Sequence, residues 1–216
     1  GLSMKTIRHF GLGFSPPGRF SLTDHLKKMG YTDQELIQAN VAFQSRSGRT
    51  MDRFASRVMF PIIDLRGNVV AFGGRILTDE KPKYINTSDT PVYHKSSGLF
   101  AMNFAKNNGG EQLILAEGYM DVISLHQAGF TNAMASLGTS LTMEQARLMA
   151  RYAKEVVICY DSDAAGQKAA SRAIPMLRDA GLLVKVLTVP GNKDPDEYIR
   201  SHGEEGHAYF KRLLDS

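Results

Sequence analysis

A single cysteine, Cys159, and no tryptophan occur among the 216 residues of this chain. A lone cysteine excludes an internal disulfide framework, and Cys159 sits inside the apolar run 156–160, where it reads as a small buried hydrophobe. Six histidines are scattered without the spacing of a zinc centre, so no structural zinc is expected. No stretch of about 18 apolar residues is present, which excludes a membrane-spanning helix, and no membrane role is expected. No secretory leader is visible, so a reducing cytoplasm is the expected compartment. The sequence opens at Gly1-Leu2-Ser3 without an initiator methionine, as expected of an excised piece of a longer protein.

An apolar content of 43% is enough for a real core, in one large domain or two small ones. The net charge of +4 is unevenly spread. Residues 46–106 carry ten Lys or Arg against five Asp or Glu, whereas residues 107–216 carry eleven against fourteen. A basic stretch followed by an acidic one suits a polyanion and metal ions, although solvated faces produce the same imbalance.

The local patterns divide the chain. Residues 4–9 and 22–29 read as short helices around the Gly/Pro-rich loop 11–18. A third helix is predicted at 33–40, with Thr32 as N-cap and Glu35 at the third position after it. The runs 58–64 and 69–77 flank Leu65-Arg66-Gly67-Asn68 and read as a β-hairpin. A polar stretch, 78–97, leads to a helix near 98–107, and Asn107-Asn108-Gly109-Gly110 marks the best domain boundary. Beyond it strands and helices alternate: strands at 112–117, 131–136, 155–161 and 182–189, with helices at 119–128, 142–153, 164–180, 195–202 and 207–214. Repeated βα units of this length predict a mostly parallel sheet flanked by helices. The expected fold class is therefore α/β: a mixed α+β lobe over 1–110, then a parallel-sheet domain over 111–216.

Three acidic segments follow apolar runs that read as strands. Glu117-Gly118-Tyr119-Met120-Asp121 follows LILA (113–116), Asp161-Ser162-Asp163 follows VVICY (156–160), and Asp194-Pro195-Asp196 follows VKVLTV (184–189). Parallel strands would gather the six carboxylates at their C-terminal ends, where protons or divalent cations must offset the repulsion. Oxygen-only ligands select Mg²⁺ or Mn²⁺, ions used in phosphoryl transfer. Plainer readings exist: Asp121 as a helix-start acid, Asp163 as an N-cap, and Asp194-Pro195 as a capped helix with Pro at its first position. Elsewhere, Gly73-Gly74-Arg75 reads as a strand end open to a phosphate, or as a bulge or bend. Lys83-Tyr84 pairs a cation with an aromatic platform. Arg49, Arg53 and Arg57 recur every four residues as a basic stripe or a solvated face, and Gly138-Thr139-Ser140 reads as a helix cap or a phosphate contact.

EGYMD (117–121), ASLGTSLT (135–142), CYDSDAAG (159–166) and KDPDEYI (193–199) together resemble the Toprim module of bacterial DnaG-type primases. A Glu followed by a DxD pair is shared with topoisomerases, nucleases and recombination proteins, some of which only bind nucleic acid, so that pattern alone names a fold. Upstream, GLSMKTIRHFGLGFSPP (1–17), RVMFPIIDLRGNVVAFGGRIL (57–77) and PKYINTSDTPVYHK (82–95) resemble the N-terminal lobe of the primase RNA-polymerase core. The resemblance implies synthesis of short RNA primers on single-stranded DNA from ribonucleoside triphosphates, a nucleotidyl transfer within DNA replication. It implies that Glu117 and Asp161 act at the reacting centre. Asp121, Asp163, Asp194 and Asp196 join those two in holding two or more Mg²⁺ or Mn²⁺ ions. It places Arg53, Arg75, Lys83, Tyr84 and Lys95 in a groove for nucleotide and template. It further implies inhibition by ppGpp-type alarmones and a replicative helicase as partner of the longer parent. Ser162 stands where many relatives carry Gly, a small-for-small exchange.

Overall fold

In the computed structural model the chain is described throughout except at Gly109, Thr139, Lys193 and the side chain of Asn192. Gly109 of the boundary run, Thr139 of the SLGTS segment and Lys193 of KDPDEYI thus lie outside the described residues. From the N-terminus the elements are α1 (Met4–Phe10), β1 (Gly13–Ser15), α2 (Ser21–Lys28), α3 (Asp33–Gln38), β2 (Ala42–Gln44), β3 (Thr50–Asp52), β4 (Arg57–Ile63), β5 (Val69–Ile76) and β6 (Tyr84–Asn86). They continue as α4 (Met102–Asn108), β7 (Gln112–Ala116), α5 (Tyr119–Gln127), β8 (Ala133–Ala135), α6 (Met143–Ala150), β9 (Glu155–Cys159), α7 (Ala164–Asp179), β10 (Leu183–Val186), α8 (Pro195–Ser201) and α9 (Gly206–Asp215). Two compact units result: residues 7–63 with 68–95, and residues 1–6 and 64–67 with 96–216.

The first unit is built on an antiparallel sheet in the order β1-β4-β5-β6, with β2 and β3 forming a separate ladder. The predicted hairpin is β4 and β5, paired from Arg57↔Ile76 to Ile63↔Val69. Pro61 is accommodated in β4 one residue before a register shift at Ile62/Ile63, the kind of irregularity where a strand tolerates proline. Thr32 caps α3 as expected, accepting from the Glu35 N–H while Glu35 accepts from the Thr32 N–H. The strands β1, β2, β3 and β6 were not expected. Each has three residues, too few to carry a periodicity.

The second unit holds a four-stranded parallel sheet in the order β10-β9-β7-β8. Strands β7, β8 and β9 are apolar on both faces because helices cover both, whereas the edge strand β10 is largely exposed. Leu113, Leu115, Val156 and Ile158 pack with α4, α6 and α7, through Met102, Met149 and Leu177 among others, all nearly inaccessible. The alternate residues Ile114, Ala116 and Val157 point to the opposite face. Thr142 caps α6 in a second capping box with Gln145. Residues 96–101 pack here too, with Phe100 exchanging both backbone hydrogen bonds with Ala135. β10 stops at Val186 rather than 189, and Leu187 still donates its N–H to Ile158 O. Among the described residues no helix is long and apolar enough to cross a membrane.

Candidate active site

Strand order creates the crevice. From β7 the chain crosses by α5 to β8 on one side, then returns by α6 to β9 on the other side of β7. The connections diverge from the carboxyl ends of β7 and β9, the switch point at which such sheets hold ligands. In-register pairing of Ala116 with Cys159 brings the residues that follow these strands side by side. Asp161 donates its N–H to Glu117 Oε1 at 2.9 Å.

Gly166 permits this approach. A Cβ on it would overlap the Asp161 carbonyl oxygen and lie 2.8 Å from Glu117 Oε1, so α7 reaches the strand ends only because residue 166 lacks a side chain. In the sequence Gly166 reads merely as part of a helix start. Its position three residues after an N-cap gives no sign of this contact.

Asp121, in the first turn of α5, accepts the Gly118 N–H through Oδ2 at 3.0 Å. Burial, reinforced by the charges of Asp161, Asp194 and Glu117, pushes its carboxyl up to about 6 against the pull of that N–H. Burial also pushes Glu117 upward, opposed by the Asp161 N–H and reinforced by the Asp161 and Asp163 charges. Asp161 is raised by partial loss of solvent, then by Asp163 and Asp194. Among the described residues none of Glu117, Asp121, Asp161, Asp163 and Asp194 forms an ion pair. The thiol of Cys159, pushed up to about 12 by burial, is inert packing as expected.

The plainer readings of the other acids also hold. Asp163 caps α7, accepting the Gly166 N–H through Oδ1 at 2.7 Å. Asp194 caps α8, accepting the Glu197 N–H at 2.6 Å, with Pro195 in the first turn. Asp196 pairs with Arg200 at 2.7 Å along the same helix. Among the described residues no three His, Cys, Asp or Glu side chains are grouped so as to hold a metal ion. The physical reason is that like charges stay apart without a counter-ion, while caps and an ion pair engage Asp163, Asp194 and Asp196. The donor chemistry of Glu117, Asp121 and Asp161 fits a hard divalent cation: oxygen ligands only, raised proton affinities and, among the described residues, no ion pair to a cationic side chain.

One consequence is measurable without a metal. The folded pKa of Asp121 lies above the 3.8 of a free aspartate, so its contribution to stability is fully present below about pH 4 and is lost as pH rises through about 6. At pH 7.5 in chelator, Asp121→Asn should raise stability by about 1–3 kcal/mol, with no gain at pH 4. Thermal melts across pH check this, and an equal effect at both pH values would refute it.

In the other unit the expected groove residues divide. Arg75 of β5 pairs across the sheet with Tyr84 of β6, its guanidinium 5.9 Å from the ring centre. Among the described residues the buried Nε atoms of Arg75 and Arg53 have no hydrogen-bond partner, while Arg53 Nη2 donates to Asn86 O at 2.9 Å. Lys83 is exposed, and Lys95 is half-buried with its N–H donating to Asp89 Oδ1. No basic stripe forms from Arg49, Arg53 and Arg57, since they lie in a turn, a loop and a strand and not on one helix. Arg49 stacks on Phe20, and buried Arg57 donates to the carbonyls of Gly74, Pro82 and Lys83. Nor does Gly73-Gly74 end a strand or bulge: both residues pair regularly within β5, and a Cβ on Gly74 would lie 2.8 Å from the Phe54 ring. Its bareness serves packing.

Comparisons with known proteins agree along the chain. Residues 1–106 match the family described as DNA primase catalytic core, N-terminal domain, and residues 114–199 match the family described as Toprim-like. A DNA primase from Clostridium acetobutylicum is 48% identical over 217 residues, covering all of this chain and 36% of the relative. The chain thus spans about a third of the length of the curated relatives it matches. A DNA primase domain from Pseudomonas aeruginosa superposes with a TM-score of 0.89 at 40% identity, covering all of this chain and 68% of that one. A DnaG primase catalytic domain bound to single-stranded DNA gives 0.87 at 39% identity, covering 100% and 70%.

Proposed function

Because this chain belongs to the bacterial DnaG-type DNA primase family, as a piece of its catalytic core, we propose that it catalyses the nucleotidyl transfer of RNA primer synthesis on single-stranded DNA. The observation that carries the reading is the hydrogen-bonded pair Glu117–Asp161 at the switch point of the sheet, with Asp121 beside it raised to about 6. In the reaction the 3′-hydroxyl of one ribonucleotide attacks the α-phosphorus of a triphosphate, and pyrophosphate leaves. Glu117, whose proton affinity is raised, takes the hydroxyl proton. The Asp161 N–H fixes Oε1 of Glu117 and so orients the carboxylate. Glu117, Asp121 and Asp161, with Asp163 and Asp194 within electrostatic reach and Asp196 further along α8, would hold Mg²⁺ or Mn²⁺, which would supply charge neutralisation and hydroxyl activation.

Residues 1–110 serve as the nucleotide- and template-binding lobe, with Arg53, Arg75, Lys83 and Lys95 meeting phosphates and Tyr84 stacking on a base. Residues 111–216 carry the chemistry. On the same reading the compartment is the cytoplasm, ppGpp-type alarmones inhibit, and a replicative helicase binds the longer protein. The test is incubation with Mn²⁺, ribonucleoside triphosphates and end-labelled single-stranded DNA. Dinucleotides and short RNA are expected. Shortening of the DNA without RNA product would instead mark a nuclease, and binding without any product a non-catalytic module.

A further inference from the structure

A pocket of about 400 Å³ opens beside Glu117 along α7. Lys168 and Arg172 line it from one face of that helix, a single turn and about 6 Å of rise apart. Both are exposed, and among the described residues neither forms an ion pair. The helix has no acidic residue until its last, Asp179. Like charges four residues apart repel and weaken a helix, so this arrangement does nothing for folding. Ala169, between them in sequence, lines the pocket without filling it. Across the pocket, Ser136 and Tyr160 are hydrogen-bonded to each other through their side chains. One end of the cavity is therefore carboxylate, the other doubly cationic, with hydroxyls nearby.

A solvated helix face would need no cavity and no neighbouring hydroxyls. A carboxylate ligand would satisfy only one cation. Two cations spaced along one wall suit an anion whose charge is divided between linked groups, and this requirement is met by a polyphosphate.

We propose that this pocket is a polyphosphate subsite, in which Lys168 and Arg172 hold the β- and γ-phosphates of a nucleoside triphosphate while its α-phosphorus lies at Glu117. The assignment rests on the nucleotidyl-transfer reading above and adds where the leaving group goes. As the bond from the 3′-oxygen to the α-phosphorus forms, the bond from that phosphorus to the bridging oxygen breaks. The electron pair passes to that oxygen, the hydroxyl proton passes to Glu117, and the released pyrophosphate carries its charge to the two cations.

Calorimetric titration of the chain with tripolyphosphate, in the presence of Mn²⁺, tests the subsite. The double change Lys168→Gln, Arg172→Gln should weaken binding roughly 100-fold, about tenfold per cation. Ala169→Leu, which keeps both charges and a good helix former, should weaken it about tenfold or more by occupying the cavity. Mn²⁺ affinity without tripolyphosphate, and the circular dichroism spectrum, should stay at the unaltered chain's values in both variants. Failure of the unaltered chain to bind tripolyphosphate, or unchanged affinity in both variants, overturns the proposal. So does a loss confined to single-stranded oligonucleotide binding, which would make the pocket a nucleic-acid contact. If tripolyphosphate binds as expected but no RNA is ever made, the subsite stands and the activity assignment falls.

Discussion

Changing Asp161 and Asp163 together to asparagine is expected to cut metal-dependent dinucleotide synthesis by at least about 100-fold, or roughly 2.7 kcal/mol of transition-state stabilisation, in a protein that stays folded. The exchange removes charge and almost nothing else. Asparagine caps helices as well as aspartate does, so the contact from the side chain at position 163 to the Gly166 N–H can be kept. The backbone N–H of residue 161 still reaches Glu117 Oε1. Removing two of the charges that raise one another's proton affinity relieves repulsion, so the melting temperature in chelator should hold or rise. Mn²⁺ binding, measured on the same preparations, should fall in parallel with synthesis. A folded double variant with undiminished synthesis and undiminished Mn²⁺ affinity would remove the carboxylates from the mechanism.

Gly166→Ala is expected to be among the most damaging single methyl groups in the second unit. Helix propensity favours alanine there by about 1 kcal/mol. Against that stands a Cβ overlapping the Asp161 backbone carbonyl and crowding Glu117, and neither can yield without moving a strand end. Overpacking of this kind costs typically about 1–3 kcal/mol and sometimes more, so the net loss should approach about 2 kcal/mol. Because the displaced atoms belong to Glu117 and Asp161, Mn²⁺ affinity should drop as well. Gly118→Ala is the natural comparison: its Cβ would meet only Asp121 Oδ2, at an ordinary 3.5 Å. Chemical denaturation and Mn²⁺ titration of both variants settle the matter. Equal behaviour would show that the bareness of residue 166 is not what holds the site together.

These two glycines also mark how far the sequence could be read. EGYMD and DAAG each present a glycine near a helix start, and nothing local distinguishes one that is needed from one that is tolerated. The difference lies in what stands opposite: for Gly166 the nearby Asp161 carbonyl together with the carboxylate of Glu117, which comes from a different βα unit. Asp163, Asp194 and Asp196 teach a related lesson. Both readings of Asp163 and Asp194, cap and charge partner, describe the same side chains, because a helix N-terminus tolerates an acid that also contributes to a field. Arg49, Arg53 and Arg57 misled through their spacing, since a period of four residues means a stripe only on a helix.

Apart from the three-residue strands of the first unit, the order of the elements, their type and the family were determined by the sequence alone, since periodicity, caps and turn residues act over a few positions and the motif strings are long. The two capping boxes and the strand ends that present Glu117 and Asp161 follow from the same local rules. Only the tertiary structure decided which acids meet and that Gly166 makes their meeting possible. It also decided that Arg57 is buried beneath carbonyls and that Lys168 and Arg172 border a cavity at Glu117. Those outcomes depend on strand order and on the closeness of backbones far apart in the chain, which no periodicity encodes.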